Sequence, residues 1–404
     1  MTGTADRRCH ACGARTETAL ARCDCGEPLW IETPATAVSE DWPDGPGPTG
    51  SMWRYADLLA TDAPGGVGAA AGGTPLVRTP ALDGDADGGR VRVKVEGANP
   101  TGTFKDRGTA LGLAATEGPV GTVSHGNMAL SVAATAAGAD RPCVVLVPDD
   151  IPEGRLGQIA QFDPTLLRVA GDYGRLYERS LAVGADRDVA FLNSDVPLRM
   201  EGQKTLAYEL CEASAPEVPD AVVLPVSSGG NASAVWKGLR DLRAAGRIDR
   251  LPRLCLVQAA ACAPIARAFE DGAERVRPLE GGEETVAYSI ANADPPSGTR
   301  ALAAVRATGG TVVAVDDDAI RSARRRFAAE TGLGIEPASA TTLAALDALG
   351  ERGAVGAGDD VVLVATGTGF REAPPDPDAT SPPDPVGIDD LDARIADLTG
   401  FRSG

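Results

Sequence analysis

Short apolar runs rich in β-branched residues recur along the chain at 91–95, 144–147, 221–226, 254–257, 311–315 and 361–365. Each has the length of a strand, and all except VRVKV (91–95) show little polar alternation, the mark of a strand buried on both faces. Between them lie longer Ala-rich stretches with helical spacing, at 108–116, 128–138, 205–213, 232–245, 318–331 and 339–350. Strands alternating with helices predict right-handed βαβ units around a mostly parallel sheet, an α/β fold. The pattern is weak at both ends. Residues 31–51 are rich in Pro, Gly, Ser and Thr and read as a linker, with globular patterning from 52. From 373 the Pro- and Asp-rich APPDPDATSPPDPVGIDD reads as a poorly ordered tail with one short helix at 389–398. Internal repeats are not evident.

Composition narrows the function. The chain has 404 residues and 43% apolar content, enough for a full-sized core. Its formal charge of −19 lacks the concentrated basic footprint of a nucleic-acid reader. No run approaches the roughly 18 to 20 apolar residues that span a bilayer, and MTGTADRRCHAC has no apolar secretory core. The expectation is a cytoplasmic protein with no nucleic-acid or membrane partner. Only Lys94, Lys105, Lys204 and Lys237 are lysines; the other 34 basic residues are arginines. Abundant carboxylates, few lysines and 4% aromatics suit a halophile, because molar salt screens acidic self-repulsion.

The cysteines form two groups. Cys143, Cys211, Cys255 and Cys262 are scattered in apolar contexts and read as small core residues. Cys9, Cys12, Cys23 and Cys25 form C-x2-C and C-x-C pairs, each followed by Gly (Gly13 and Gly26). Four thiolates on two tight turns suit a closed, structural tetrahedral Zn2+ site.

Four loops carry candidate chemistry. In VKVEGANPTGTFKDRG (93–108), Lys105 opens a helix. The helix dipole and Arg107 favour its neutral amine, the form that attacks a carbonyl. In SHGNMALSVAATAA (124–137), a polar turn opens a helix whose free N–H groups suit a carboxylate. In AVVLPVSSGGNASAVWKGL (221–239), a strand runs into Ser227-Ser228-Gly229-Gly230-Asn231, a backbone nest for a phosphate. The strand of VVLVATGTGF (361–370) ends in Thr366-Gly367-Thr368-Gly369, where parallel sheets line ligand crevices. A lysine, a phosphate nest, an asparagine and a strand-end hydroxyl are the parts that hold pyridoxal phosphate.

Over roughly 52–372 the chain resembles the threonine synthase family of fold-type II pyridoxal-phosphate enzymes. The resemblance rests on MWRYADLL (52–59), GGTPLVRTPAL (72–82), NPTGTFKDRG (99–108), EGQKT (201–205), PVSSGGN (225–231), WKGLRDL (236–242), EPASA (336–340) and TGTGF (366–370). It implies two three-layer α/β domains of the tryptophan synthase beta-like type after a short zinc-ribbon-like segment, 1–30. The large cofactor-binding domain would comprise 52–115 and 191–372, and a small domain, 116–190, would close over the substrate.

The implied roles follow residue by residue. Lys105 bonds the cofactor and serves as catalytic base. Asn127 holds its 3′ oxygen, and Ser227, Ser228, Gly229, Gly230 and Asn231 hold its phosphate. Thr366 faces the ring nitrogen, and a hydroxyl there implies a largely unprotonated nitrogen. Ser124 and His125 lie beside the substrate carboxylate, while Asn193, Ser194 and Arg199, assisted by Lys204, take the substrate phosphate. The implied reaction converts O-phosphohomoserine and water to threonine and phosphate, in a monomer or homodimer. Three positions depart from the family pattern: His125 replaces a Ser or Thr, Met128 a small or hydroxyl residue, and Ser227-Ser228 a Gly-Asn. The first two keep open a paralogue acting by elimination or replacement on another phosphorylated amino acid. A non-catalytic amino-acid-binding relative is a further alternative.

Overall fold

The computed structural model describes residues 6–16, 21–34, 50–59, 61–124, 126–149, 151, 153–171, 173–281, 284–372 and 384–400. They fall into two units, Met1–Arg371 and Glu372–Gly404. In the second unit, a single turn at Ile388–Asp390 leads into a helix, Leu391–Gly400. Residues 373–383 of the expected tail, 35–49 of the expected linker and His125 lie outside the described residues.

Among the described residues, the first unit contains three sheets. Strands β1 (Arg7–Cys9), β2 (Arg15–Thr16) and β3 (Leu29–Ile31) make a small antiparallel sheet around the cysteine pairs. Strand β3 takes in the first residue of the expected linker. Strands β4 (Leu76–Arg78) and β5 (Arg90–Val95) pair antiparallel at one edge of the main sheet. Strands β6 (Val120–Val123), β7 (Cys143–Pro148), β8 (Thr165–Val169) and β9 (Ala190–Phe191) form a separate parallel sheet in the order β8-β7-β6-β9. Strands β10 (Ala221–Pro225), β11 (Arg253–Ala259), β12 (Val312–Val315) and β13 (Asp360–Ala365) complete a six-stranded sheet ordered β12-β11-β10-β13-β5-β4. All its neighbours are parallel except β4.

The period-2 geometry of a strand sorts β10 onto two cores. Val222 and Leu224 face one cluster with Leu206, Leu239 and Leu302, whereas Ala221 and Val223 face another with Phe327, Leu343 and Leu346. Helices on both faces bury both sides, which is why the strand reads as an unbroken apolar run. The amino-terminal sheet is anchored to the first core through Trp30, whose ring lies edge-on to Trp236 at 5.3 Å.

Five helices place the chemistry. They are α1 (Lys105–Ala114), α2 (Asn127–Gly138), α3 (Pro197–Gln203), α4 (Gly230–Ala244) and α5 (Pro337–Ala344). Helix α1 begins at Lys105 itself, ahead of the Ala-rich stretch that starts at 108. Strands β6 and β9 were not evident in the pattern, because VGTV and a two-residue AF carry too little apolar signal.

Candidate active site

Lys105 is fixed by the loop before it. Thr101 donates from its backbone N–H and its hydroxyl to the two Asp106 carboxylate oxygens, each at 2.6 Å, closing the Pro-Thr-Gly-Thr turn. That turn is laced to the end of β13: Phe104 N donates to Thr366 O at 2.9 Å and Thr368 N to Gly102 O at 2.8 Å. Gly102 has φ +75°, and a Cβ there would lie 2.6 Å from the Thr368 side chain, so glycine is required. The Lys105 Nζ sits 4.3 Å from the Phe104 ring centre. Removal from water lowers its pKa to about 8; the nearby Glu336 carboxylate opposes the shift, and Arg199 and Arg371 add to it. An amine near neutrality beside a fixed turn is a ready nucleophile and base.

Three elements converge here. Asn127, the first residue of α2, donates from Nδ2 to Glu336 Oε2 at 2.7 Å and accepts at Oδ1 from Arg371 at 3.2 Å. Thr366 donates its hydroxyl to Glu336 Oε1 at 2.8 Å and lies 3.0 Å from the Ser339 hydroxyl of α5. Glu336 therefore ties together the two side chains expected at opposite points of the cofactor ring. Glu336 and Arg371 were given no role from the sequence. The available signal for Glu336 was a carboxylate directly before the Pro of EPASA, at the start of a helix buried throughout most of its length.

The loop 227–231 has the geometry of an anion nest. Gly229 takes φ +83°, and a Cβ there would come within 2.5 Å of Ser297 O. Ser227 and Ser228 are not among the described residues with positive φ, so hydroxyls replace the family's Gly-Asn without backbone strain. Asn231, in the first turn of α4, is buried with both its amide nitrogen and oxygen lacking a hydrogen-bond partner. A buried unsatisfied amide beside open backbone N–H groups is the signature expected where a phosphate docks. These residues fit pyridoxal phosphate.

The expected substrate contacts divide. Arg199, on α3, is fully buried against α1, with Nη1 donating to Thr109 at 2.8 Å and Nη2 to Lys105 O at 3.2 Å. Burial lowers its pKa to about 10, with Asp106 opposing. Ser124 directly follows β6 and its hydroxyl accepts from Gly126 N at 3.2 Å, while the Ser194 carbonyl lies against Gly230. Asn193 and Lys204 make their hydrogen bonds inside the protein. Asn193 is fully buried, accepting from Val123 N at 3.0 Å and donating to Ser180 Oγ at 2.9 Å, so its amide braces the four-stranded sheet. Lys204 is turned toward the amino-terminal segment, where Nζ donates to Glu201 at 2.5 Å and Thr33 at 2.7 Å. Glu201, one helical turn earlier, and Asp241, which meets it only in the fold, pair with its charge.

The four amino-terminal cysteines come together. Their sulfurs lie within 4.8 Å of one another, with Cys9–Cys25 at 3.6 Å and Cys12–Cys23 at 3.5 Å. Zn–S bonds of about 2.3 Å set tetrahedral S···S separations of about 3.8 Å, so the set fits zinc.

A family profile described as "Pyridoxal-phosphate dependent enzyme" matches residues 67–367. Threonine synthase of Methanocaldococcus jannaschii is 36% identical over 334 residues, 81% of each chain. The chain belongs to the threonine synthase family of pyridoxal-phosphate dependent enzymes. Threonine synthase of Methanosarcina acetivorans is 37% identical over 78% of this chain and 79% of its own. That of Mycobacterium tuberculosis is 35% identical, covering 85% and 92%. Among solved structures, maize serine racemase aligns with TM-score 0.61 at 19% identity, covering 82% of this chain and 94% of its own. A T.th. threonine deaminase aligns with TM-score 0.61 at 25% identity, covering 74% and 93%. The fold-type II architecture expected from the sequence is thereby shown. No described helix is long and apolar enough to cross a membrane.

Proposed function

We propose that this chain is a threonine synthase, converting O-phosphohomoserine and water to threonine and inorganic phosphate. The observation that carries the reading is the 36% identity to a threonine synthase over four-fifths of both chains. Bound pyridoxal phosphate supplies an electron sink for carbanions next to the amino-acid nitrogen. Lys105 carries the cofactor through Nζ and, once released from it, moves protons at the substrate's α and β carbons. The nest at 227–231 holds the cofactor phosphate, and the second amide hydrogen of Asn127 remains for its 3′ oxygen. Ser194 and Arg199 take the substrate phosphate, and Ser124 and His125 the carboxylate. The four-stranded sheet moves as a small domain that closes over the substrate and excludes water until hydration. When phosphate and threonine released from O-phosphohomoserine are quantified together in molar KCl, they are expected in equal amounts. Phosphate or threonine alone, or neither, rejects the reading.

Thr366 faces the ring nitrogen in this proposal, and its one hydroxyl hydrogen is committed to Glu336. Its oxygen then offers the ring a lone pair, which favours a protonated nitrogen and reverses the expectation from a lone hydroxyl. Cofactor labelled with 15N is expected to show the chemical shift of a protonated pyridine, moving toward the unprotonated position in Glu336→Ala. An unprotonated wild-type nitrogen refutes this hydrogen-bond direction.

A second reading is favoured by Asn193 and Lys204, two expected substrate contacts that the protein uses internally. It is a paralogue acting on a different phosphorylated amino acid, and it predicts cofactor uptake without threonine formation. The cysteine cluster is read as a structural zinc site, expected to yield one zinc per chain by elemental analysis. The lysine-poor acidic surface is read as an adaptation to high salt in a cytoplasmic enzyme, with unfolding expected below about 0.5 M KCl.

A further inference from the structure

Arg22 lies immediately before Cys23, within the four-cysteine segment. Its Nη1 donates to Gly26 O at 2.8 Å, so the guanidinium is braced by the second cysteine turn. Its Nη2 reaches out to Asp195 Oδ2 at 2.5 Å and to Pro296 O at 3.2 Å. Each acceptor sits one residue from a segment that touches the phosphate nest. On one side, a Cβ at Gly230 would lie 2.9 Å from Ser194 O. On the other, Ser297 N donates to Ser228 O at 2.8 Å, and a Cβ at Gly229 would lie 2.5 Å from Ser297 O. One side chain thus holds both segments against the nest, where neither glycine leaves slack for a displaced neighbour.

We infer that Arg22 is a positioning residue that couples the four-cysteine centre to the phosphate nest and the Ser194 loop of the active site. The inference rests on the reading of 227–231 as the cofactor-phosphate site. An exposed ion pair would contribute little to such a coupling. This pair is different because the Asp195 side chain is 2% exposed and Arg22's is 36% exposed. The Asp195 carboxylate also receives the Tyr177 hydroxyl, so it links the amino-terminal segment to the helix 173–187 beside the four-stranded sheet. Removing the Arg22 charge leaves a buried carboxylate without its ion-pair partner, and the loop carrying Ser194 relaxes to rehydrate it. Metal binding at the cysteines acts in the same direction: it fixes the turn in which Gly26 N donates to Cys23 O at 2.8 Å, and so fixes Arg22.

The test uses the full chain in molar KCl and Arg22→Gln, Asp195→Asn and the double variant. Zinc content, melting temperature, the dissociation constant for pyridoxal phosphate, and KM and kcat for O-phosphohomoserine are measured on each. Arg22→Gln is expected to keep its zinc, weaken cofactor binding about tenfold, and raise KM more than it lowers kcat. Asp195→Asn, which retains a side chain for Tyr177, is expected to reproduce the effect, and the double variant to add little to either. Stripping zinc from the wild type with a chelator is expected to weaken cofactor binding comparably and to leave Arg22→Gln almost unchanged. Unaltered cofactor affinity and KM in both single variants overturns the inference, as does full additivity. A wild type that fails to take up pyridoxal phosphate overturns the functional reading and this inference with it; uptake with unaltered variants overturns this inference alone.

Discussion

Lys105→Ala is expected to lose threonine formation by a factor on the order of 10^4 or more, together with the visible absorption of the bound cofactor. Lys105→Arg is expected to fail equally, which separates the need for a reactive amine from the need for a positive charge. Wild-type threonine formation by either variant would refute the assignment. The same amine sets a pH dependence. Its pKa of about 8, lowered from the ordinary 10.5 by removal from water, leaves a large neutral fraction at mildly alkaline pH. Capture of pyridoxal phosphate by cofactor-free protein should therefore rise with pH and reach half its maximum near 8. A half-maximum near 10.5 would mean that the site does not desolvate Lys105. Glu336 opposes the depression, so Glu336→Ala should move the midpoint to lower pH.

The elements legible in the sequence were those whose signal is local. Strand β10 is apolar without interruption because both faces are covered, and it was found with nearly its true bounds. Lys105 stood out because arginine fills almost every ordinary basic position of the chain. The cysteine pairs were found by spacing, and the fold closes them into one cluster. What escaped depends on partners distant in sequence. Lys204 and Asn193 matched a family motif, but Asp241 and Val123 meet them across the fold, in addition to the nearer Glu201 and Ser180. Arg22 is 173 residues from Asp195, and Glu336 is 209 residues from Asn127. Such pairings exist only once the sheets have assembled. A one-dimensional pattern records that a charge is present, but not which charge it will meet.

Arg107→Met is expected to cost roughly 3 to 5 kcal/mol of stability, measured by chemical denaturation in molar KCl. Arg107 lies two residues after Lys105 and is fully buried. Its Nε and Nη2 each donate to Glu96 at 2.7 Å, and Nη1 and Nη2 donate to Glu209 at 2.5 and 2.7 Å. Lys94 completes the network on Glu209 at 2.5 Å, so two cations and two carboxylates balance inside the core. Methionine fills part of the volume but leaves one buried carboxylate uncompensated. Adding Glu96→Gln to Arg107→Met should recover part of the loss, since the surviving Lys94–Glu209 pair is then neutral. Burial opposes ionisation of Glu209, yet Arg107 and Lys94 together hold its pKa at about 2 rather than 4.5. A depressed carboxylate stabilises the fold above its unfolded value, so this contribution is lost as pH falls from 4.5 toward 2. Salt should change little of it, because the network is out of reach of the ions that screen the acidic surface. The penalty in Arg107→Met should therefore persist from low to molar KCl wherever the protein remains folded. A cost that vanished in molar salt would show that the network is hydrated and that its charges contribute as surface pairs do.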